Sequence, residues 1–352
     1  MIDKDYCASS YLAFRYIEKD GVDFAEDLHH ENIAPVPENE EVFVTTVDDI
    51  DTEIQKVFES LKDEKLGILL SGGMDSASLA SYMPGADAYT FRFVGGSFQK
   101  EELKRAEYYA EQYSLNLHYV EIDWDTIEGV VDKVLCSKGA PVHSIEPQLY
   151  LAAMQAKQDG VTCLIVGESA DLLFGGMDQL LAKDWTVEEF TQRYTFLEPE
   201  KILKNPIDTT YLFERYRQED GKINFLSFMD DVFSVESSSA YLNAFATADI
   251  RYVDPYAKLR MAEPLDLNRV RNGEPKYLIR SLFAKKYPDM PVPNKVPMPR
   301  PVDHYFAEWE GPSRPEFRSD IAMNDLTGNQ KWQIWCLERF LNRLDEGKIH
   351  QD

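Results

Sequence analysis

Short apolar runs alternate with amphipathic stretches through the first half of the chain. Four runs predict buried β-strands, because each is short, largely apolar and bounded by polar residues: 66–70, 88–93, 117–122 and 161–166. The stretches between them predict helices over 76–83, 101–113, 126–135 and 147–157. Strands that alternate with helices in this way indicate a parallel sheet covered by helices on both faces.

The pattern changes after about residue 180, where the strand-like runs stop. Thr186 and Glu189 form a capping box that predicts a helix through Tyr194. A last amphipathic helix is marked by its apolar residues Trp332, Trp335, Phe340, Leu341 and Leu344. We therefore predict the α/β class: a twisted parallel sheet of about five strands with helices on both faces, followed by a mostly helical C-terminal part. The predicted parts are an N-terminal extension, an α/β core and a helical remainder, over 1–50, 51–185 and 186–352.

Composition and charge narrow the possible partners. The chain has 352 residues, of which 62 are acidic and 37 are basic, so its formal net charge is −25. A surface this negative repels nucleic-acid phosphates and anionic lipid, so we expect neither nucleic acid nor a membrane as a partner. No apolar run approaches the roughly 20 residues of a membrane helix, and the N-terminus lacks the apolar region of a signal peptide. Four well-separated cysteines indicate no disulfide framework, and we expect a reducing cytoplasm.

The segment Leu69–Ser76, which reads Leu-Leu-Ser-Gly-Gly-Met-Asp-Ser, joins a predicted strand to a predicted helix. Its two glycines allow the backbone to approach an anion closely, and its two serines add hydroxyl donors. A carboxylate beside phosphates, here Asp75, makes sense mainly if Mg²⁺ lies between them. The segment has neither the spacing of a Walker A loop nor that of a dinucleotide-binding loop. The alternative interpretation is an ordinary Gly-Gly turn.

Two motifs together resemble a known family. The residues 71–76 resemble the pyrophosphate-binding loop of the N-type ATP pyrophosphatases, or PP-loop superfamily, which includes asparagine, GMP and NAD synthetases and β-lactam synthetase. The segment 166–176, Val-Gly-Glu-Ser-Ala-Asp-Leu-Leu-Phe-Gly-Gly, is similar to a second motif of the asparagine synthetases. The segments 88–93 and 276–280 resemble further parts of the same family. The likeness is to the C-terminal synthetase domain, and it implies an adenine nucleotide alpha hydrolase-like fold.

The predicted site residues follow from these motifs. Asp75 and Asp171 both lie just past a strand end, so they can flank one Mg²⁺ if the two strands are adjacent. Glu168 is our candidate for the base that deprotonates the incoming amine. The resemblance places Lys295 near the pyrophosphate and the reacting acyl centre, and His143 in a segment that approaches the acyl substrate. The predicted nucleotide-binding residues are Leu69, Ser71, Gly72, Gly73, Asp75, Ser76, Phe91 and Gly167.

Each of these residues also has a purely structural interpretation. Glu168 and Asp171 could belong to a solvated turn with a helix cap, and Lys295 could be a solvated loop lysine. His143 could be a packing residue.

The resemblance implies an ATP-dependent amide-forming synthetase with Mg²⁺. It would adenylate a carboxylate, such as that of aspartate or an analogue, release pyrophosphate and transfer ammonia or an amine, as in asparagine biosynthesis. We expect no glutaminase domain in this chain, because about fifty residues before the core are too few to build one. Ammonia would then come from a separate glutaminase or from solution, and a homo-oligomer is left open.

Two alternatives differ in class from a ligase. Leu172 and Ser169 depart from the motif of the synthetases, so a nucleotide-binding protein without ligase activity, or a subunit that needs a separate glutaminase, is one alternative. A tRNA- or sulfur-transfer enzyme with the same loop is the other. The net charge and the lack of paired catalytic cysteines argue against it.

Overall fold

The computed structural model describes residues 1–94, 99–294 and 300–349. Its strands are β1 (Val42–Val44), β2 (Leu66–Leu69), β3 (Asp87–Phe93), β4 (Asn116–Ile122), β5 (Cys163–Ile165), β6 (Arg251–Val253) and β7 (Leu259–Met261). Its α-helices are α1 (Lys4–Phe14), α2 (Val47–Ser60), α3 (Met74–Ala80), α4 (Lys100–Gln112), α5 (Trp124–Lys138), α6 (Glu146–Gln158), α7 (Ser169–Leu173), α8 (Asp178–Leu181), α9 (Val187–Tyr194), α10 (Pro199–Ile202), α11 (Tyr211–Glu214), α12 (Phe225–Phe228), α13 (Ser234–Ala248), α14 (Leu267–Arg271), α15 (Tyr277–Lys286), α16 (Val302–Tyr305) and α17 (Gly328–Asp345). Short 3₁₀ turns lie at Glu38–Glu40 and Met323–Asp325, and a π-helical turn lies at Met229–Phe233.

Five strands form one parallel sheet in the order β4-β3-β2-β5-β6. Ile68 of β2 lies between Ala88 of β3 and Ile165 of β5, so β2 and β5 are direct neighbours. After β2, the next two strands of the sheet, β3 and β4, lie on one side of β2. The later strands β5 and β6 lie on its other side. A ligand crevice is expected where the strand order reverses in this way, at the carboxyl ends of β2 and β5.

Helices cover both faces of this sheet, as the sequence predicts. Alternate residues of β5 enter different cores: Leu164 packs with helices such as α5, α6, α13 and α17, whereas Cys163 and Ile165 pack with α2, α3, α4 and α15. A strand buried on both faces is expected to be continuously apolar, which explains why the run 161–166 is easy to find in the sequence. The predicted α/β class and five-stranded sheet are therefore confirmed.

The fifth strand, β6 at Arg251–Val253, comes from the half of the chain in which we predicted that strands stop. That expectation after residue 180 is wrong for β6 and β7. Each of these strands has three residues, which is too short for the alternation on which strand prediction depends. Pairing with neighbours distant in sequence, β5 for β6 and β1 for β7, makes these segments strands.

The helical half agrees better with its sequence pattern. The capping box predicted at Thr186 is formed, because the Thr186 hydroxyl accepts from the backbone of Glu189 and the Glu189 side chain accepts from that of Thr186. The last amphipathic helix is α17, and its apolar side packs on α1 at the other end of the chain. Gln333 of α17 donates to the carbonyl of Tyr11 at 2.7 Å.

The division into 1–50, 51–185 and 186–352 stays a prediction. Its first boundary falls inside α2, and β6 of the third part completes the sheet of the second. Among the helices of the described ranges, none combines the length and the apolar character that crossing a lipid bilayer requires.

Candidate active site

A cavity of about 340 Å³ opens at the carboxyl ends of β2 and β5. Two loops contribute to its floor: the segment that joins β2 to α3 and the segment that joins β5 to α7. Nine predicted site residues line it, namely Leu69, Ser71, Gly73, Asp75, Ser76, Phe91, Gly167, Glu168 and Asp171. The fold thus brings both motifs together around one cavity.

Gly72 is the predicted nucleotide-binding residue that does not line this cavity. Its carbonyl accepts from Arg105 of α4 at 2.8 Å, and a Cβ at Gly72 would lie 2.7–2.8 Å from backbone atoms of Glu102. The geometry therefore explains this glycine by the close approach of α4.

The loop before α3 is ordered by its own serines. The Ser76 hydroxyl accepts from the Ser71 amide at 3.1 Å, and the Ser71 hydroxyl accepts from the Gly73 amide at 3.1 Å. These are amides of the kind that we predict to face a phosphate. Because the hydroxyls can rotate, an incoming phosphate oxygen can replace them as the acceptor.

The carboxylates of Asp75 and Asp171 meet at one cation, the ammonium of Lys276. Its Nζ lies 2.6 Å from Oδ2 of Asp75 and 2.7 Å from Oδ1 of Asp171. Burial alone would lower the pKa of Lys276, but the two carboxylates outweigh it and raise this pKa, so the ammonium stays charged. The sequence motif 276–280 contains this lysine, yet sequence reasoning gave it no role in the site.

Two glycines bring these groups close together. At Gly176 an added Cβ would lie 2.8 Å from Cα of Asp171 and from Cδ of Lys276, so no larger residue fits without movement. At Gly167 it would lie 3.4 Å from the backbone of Asp75. Gly167 therefore allows the close approach of the segment around Asp75, whereas Gly176 allows the close approach of Lys276 to Asp171.

The donor set fits Mg²⁺ bound together with a substrate. Mg²⁺ in proteins usually takes one or two carboxylates and completes its shell with water and phosphate oxygens. Asp75 and Asp171 supply such a pair, and the described residues contain no cluster of three metal-ligating side chains that could form a closed protein site. The ammonium of Lys276 already lies within ion-pair distance of both carboxylates, which shows that the pair accommodates a cation and still carries one excess negative charge.

Glu168 is partly buried beside these carboxylates. The Ser238 hydroxyl donates to its Oε2 at 3.1 Å. Burial raises the pKa of Glu168 to about 8, opposed by a hydrogen bond from Ser237. Asp254 lies behind it, accepts from the backbone amide of Ser169 at 2.7 Å, and has a pKa raised by burial to about 6.

A second group of charges lines the opposite end of the cavity. Arg15 lies 3.0 Å from Oε2 of Glu236, and Nε2 of His143 lies 3.6 Å from Oε1 of the same carboxylate. Arg300 donates to the Ser144 hydroxyl at 3.1 Å. Burial, followed by the nearby arginines, lowers the pKa of His143 well below its usual value, so the imidazole is neutral. Sequence reasoning had found only His143 among these residues.

Besides Leu172 and Ser169, the chain departs from the family pattern at Met177, which follows Gly-Gly, and at Arg92, which stands where the family usually has glycine, and these residues have different environments. Leu172 and Met177 line the cavity, so they change its wall. Arg92 points away, because its guanidinium donates to Glu121 on the exposed side of the sheet at 2.7 Å. Lys295 lies outside the described residues, although the preceding Asn294 lines the cavity.

Comparison with known proteins gives a family match. The model of the asparagine synthase family matches residues 59–256. A protein of Methanocaldococcus jannaschii, provisionally named asparagine synthetase (glutamine-hydrolyzing) 1, is 31% identical over 121 residues, which are 32% of this chain and 21% of that protein. The matched region thus spans about a fifth of the length of that curated relative.

Two solved structures are similar in their chain trace. They are the U34-tRNA thiolase NcsA of Methanococcus maripaludis with its 4Fe-4S cluster, at 12% identity, and the NMN synthetase of Francisella tularensis, at 9% identity. Each comparison covers 72% of this chain, with 83% and 100% of the two other chains, and each has a TM-score of 0.29. The fold assignment therefore rests on the sheet topology described above.

Proposed function

We propose a function for this chain from one premise: it belongs to the asparagine synthase family, whose model matches more than half of its residues. Membership of that family indicates an ATP-using enzyme that forms amides or adenylates. The finer proposal is an amide-forming synthetase that activates a small carboxylic acid, aspartate or an analogue, and then transfers ammonia or an amine to it.

The first step joins the acid to AMP. A carboxylate oxygen of the acid attacks the α-phosphorus of ATP, the bond from that phosphorus to the bridging oxygen breaks, and pyrophosphate leaves with the bonding electrons. The serines and amides of 71–76 would bind the departing pyrophosphate. Lys276 would stay as a fixed positive charge beside it, in a site where little reorganisation is needed as negative charge develops.

Mg²⁺ is the metal that this donor set fits. Asp75 and Asp171 would hold it, and when bound it supplies Lewis-acid stabilisation of the triphosphate charge.

The second step forms the amide. The nitrogen of ammonia or an amine attacks the acyl carbon, the carbon–oxygen bond to AMP breaks, and the nitrogen loses a proton. Glu168 would accept this proton in its carboxylate form, which becomes the major form as the pH rises above its pKa of about 8. AMP and the amide are then released.

One observation supports this proposal most strongly. Carboxylates from the first turns of two helices, Asp75 of α3 and Asp171 of α7, lie within 2.7 Å of the same ammonium on the wall of a cavity that also contains the 71–76 loop. A nucleotide's triphosphate with its metal requires such a paired, cation-accepting arrangement.

The test is release of pyrophosphate from ATP and Mg²⁺ that depends on an added acid, followed by mass spectrometry of the products. The panel contains aspartate and other small acids, with ammonium as nitrogen donor, in the presence and absence of a separate glutaminase. An AMP-containing product pair together with an amide supports the proposal. Calorimetric binding of ATP without AMP formation on any acid would favour the nucleotide-binding alternative, for which the departures Leu172 and Ser169 are the reason.

A further inference from the structure

The basic end of the cavity, formed by Arg15, His143, Glu236 and Arg300, has no part in the steps above. Arg15 and Glu236 form an ion pair at 3.0 Å, with Glu236 almost wholly buried. The described residues place no carboxylate within ion-pair distance of Arg300, whose nearest acceptor there is the Ser144 hydroxyl at 3.1 Å. A guanidinium has five N–H donors, so most of those of Arg300 remain available to a ligand.

His143 does not neutralise this charge. The backbone amide of Ile145 donates to Nδ1 of His143 at 3.1 Å, so Nδ1 is the acceptor and the proton of the neutral ring is on Nε2. That Nε2–H faces Glu236, 3.6 Å away. Nε2 of His143 also lies 3.5 Å from Nη1 of Arg300, so with the proton on Nε2 the neutral ring adds neither a negative charge nor an acceptor beside that guanidinium.

The charges at this end sum to an excess of one positive charge. Arg15 and Arg300 supply two, Glu236 supplies one negative charge when ionised, and His143 supplies none. Lys138 and Glu146 behind them form a pair of their own at 2.8 Å and cancel. One uncompensated guanidinium in a cavity has the charge and the shape to bind a single carboxylate. The planar carboxylate accepts two parallel hydrogen bonds from the N–H groups of the guanidinium.

The distance between the two ends is short. Glu236 and Ser237 are consecutive residues in the first turn of α13, and both line the cavity. Glu236 faces Arg15, whereas Ser237 hydrogen-bonds Glu168. Neighbouring Cα atoms are about 3.8 Å apart, so a molecule that contacts both ends needs only a few carbon atoms.

The same charges disfavour an ammonium group at the basic end. An α-amino acid carries its ammonium one carbon from the carboxylate, so it would lie beside two guanidiniums. The acid of this cluster, Glu236, does not offset this repulsion of an ammonium group, because it is already paired with Arg15. Both arginines also lie outside residues 59–256, the part that matches the family model, so this subsite is a feature of the chain beyond that match.

We propose that Arg300, beside the Arg15–Glu236 ion pair, anchors a second carboxylate of the acid substrate, and that this substrate is a short diacid without an ammonium group beside that carboxylate. The inference rests on the proposed function, since it names the class of acid that is activated at the other end of the cavity. Arg300 is the specificity-determining residue in it and takes no part in bond making, whereas Arg15 holds the charge of Glu236.

The experiment compares acids of equal length: succinate with aspartate and butyrate, and glutarate with glutamate and pentanoate. Binding is measured by saturation-transfer NMR with Mg²⁺ and an ATP analogue that cannot be cleaved between the α- and β-phosphates. Turnover is measured as acid-dependent pyrophosphate release. The variants are Arg300→Gln, Arg300→Lys and, as a matched surface control, Arg318→Gln, whose guanidinium is exposed and paired with Asp320.

We expect the wild type to prefer succinate to butyrate and to aspartate by about tenfold or more in kcat/KM, the value of one charged hydrogen-bonded contact. Arg300→Gln should reduce the succinate-to-butyrate ratio by a similar factor, Arg300→Lys should reduce it less, and Arg318→Gln should behave as wild type. Folding of each variant is checked by its thermal transition.

Three results would overturn the inference: equal use of succinate and butyrate, a preference for aspartate over succinate, or no binding of any diacid at millimolar concentration. If pyrophosphate is released equally from all the acids, the proposed function stands and this inference fails. If diacids bind in a manner that depends on Arg300 but no acid releases pyrophosphate, the subsite stands and the proposed function fails.

Discussion

The two ends of the cavity are built in different ways. The acidic end, with Asp75, Asp171 and Glu168, comes from the starts of α3 and α7, the helices that follow the neighbouring strands β2 and β5. The basic end takes Arg15 from the end of α1, His143 from the α5–α6 connection, Glu236 from α13 and Arg300 from the segment before α16. The residues of the acidic end are brought together by the pairing of adjacent parallel strands. The residues of the basic end are brought together only by the packing of helices that are distant in sequence.

This difference predicts different consequences of mutation. Substitutions at the acidic end should leave folding intact and reduce activity, because its residues are partly exposed and, in the proposed function, contact the reacting groups. The basic end should lose stability as well, because its ion pair ties the N-terminal helix α1 to α13.

The largest effect is expected at Asp75. Asp75→Asn should lower acid-dependent pyrophosphate release about a thousandfold, since it removes a metal ligand whose charge stabilisation amounts to several kcal/mol. The unfolding transition should change little. Asp125→Asn is the matched control, because Asp125 is also the second residue of its helix but is exposed. Release at the wild-type rate by Asp75→Asn would remove Asp75 from the metal site.

A smaller effect, on one step only, is expected at Glu168. Glu168→Gln should slow amide formation about a hundredfold, the usual contribution of a general base, and should slow pyrophosphate release much less. Because Glu168 must be ionised to accept a proton, the rate of amide formation by the wild type should be low well below pH 8 and should rise as the pH approaches about 8. Separate assays of pyrophosphate and amide check both points, and a flat profile in this range would exclude Glu168 as the base.

At the basic end, Arg15→Gln should lower the free energy of unfolding by about 3 kcal/mol, because it leaves the buried Glu236 without its partner. Urea unfolding measures this change. The control is Arg215→Gln, which breaks a more exposed pair with Glu18 and should cost less than about 1 kcal/mol. If the two variants are equally stable, the ion pair does not hold α1 in place.

The smallest effects distinguish two glycines. Gly176→Ala should destabilise the protein by about 1–3 kcal/mol, because its Cβ would overlap Asp171 and Lys276. Gly129→Ala should stabilise it by about 0.5–1 kcal/mol, since Gly129 lies on the exposed side of α5 with open space around it. Thermal unfolding followed by circular dichroism compares the two variants, and a stabilised Gly176→Ala would show that Gly176 is not closely packed against Asp171 and Lys276.

Prediction from sequence succeeded where the signal is local. The run 66–70 and the loop after it predicted a strand, a turn and a helix start, and the structure has all three. The same reasoning missed β6, because three residues contain too little pattern. It also treated Lys276 as part of a matching motif without seeing that its ammonium joins Asp75 and Asp171.

The sequence by itself determined the family, the α/β class and the pair of acidic loops, because adjacent glycines, short apolar runs and motif spacing are properties of neighbouring residues. Only the tertiary structure decided that Lys276 bridges the two aspartates and that Arg15 and Arg300 share a cavity with them. Those contacts join segments up to nearly three hundred residues apart. Their existence depends on which helix faces pack together, and no local pattern records that.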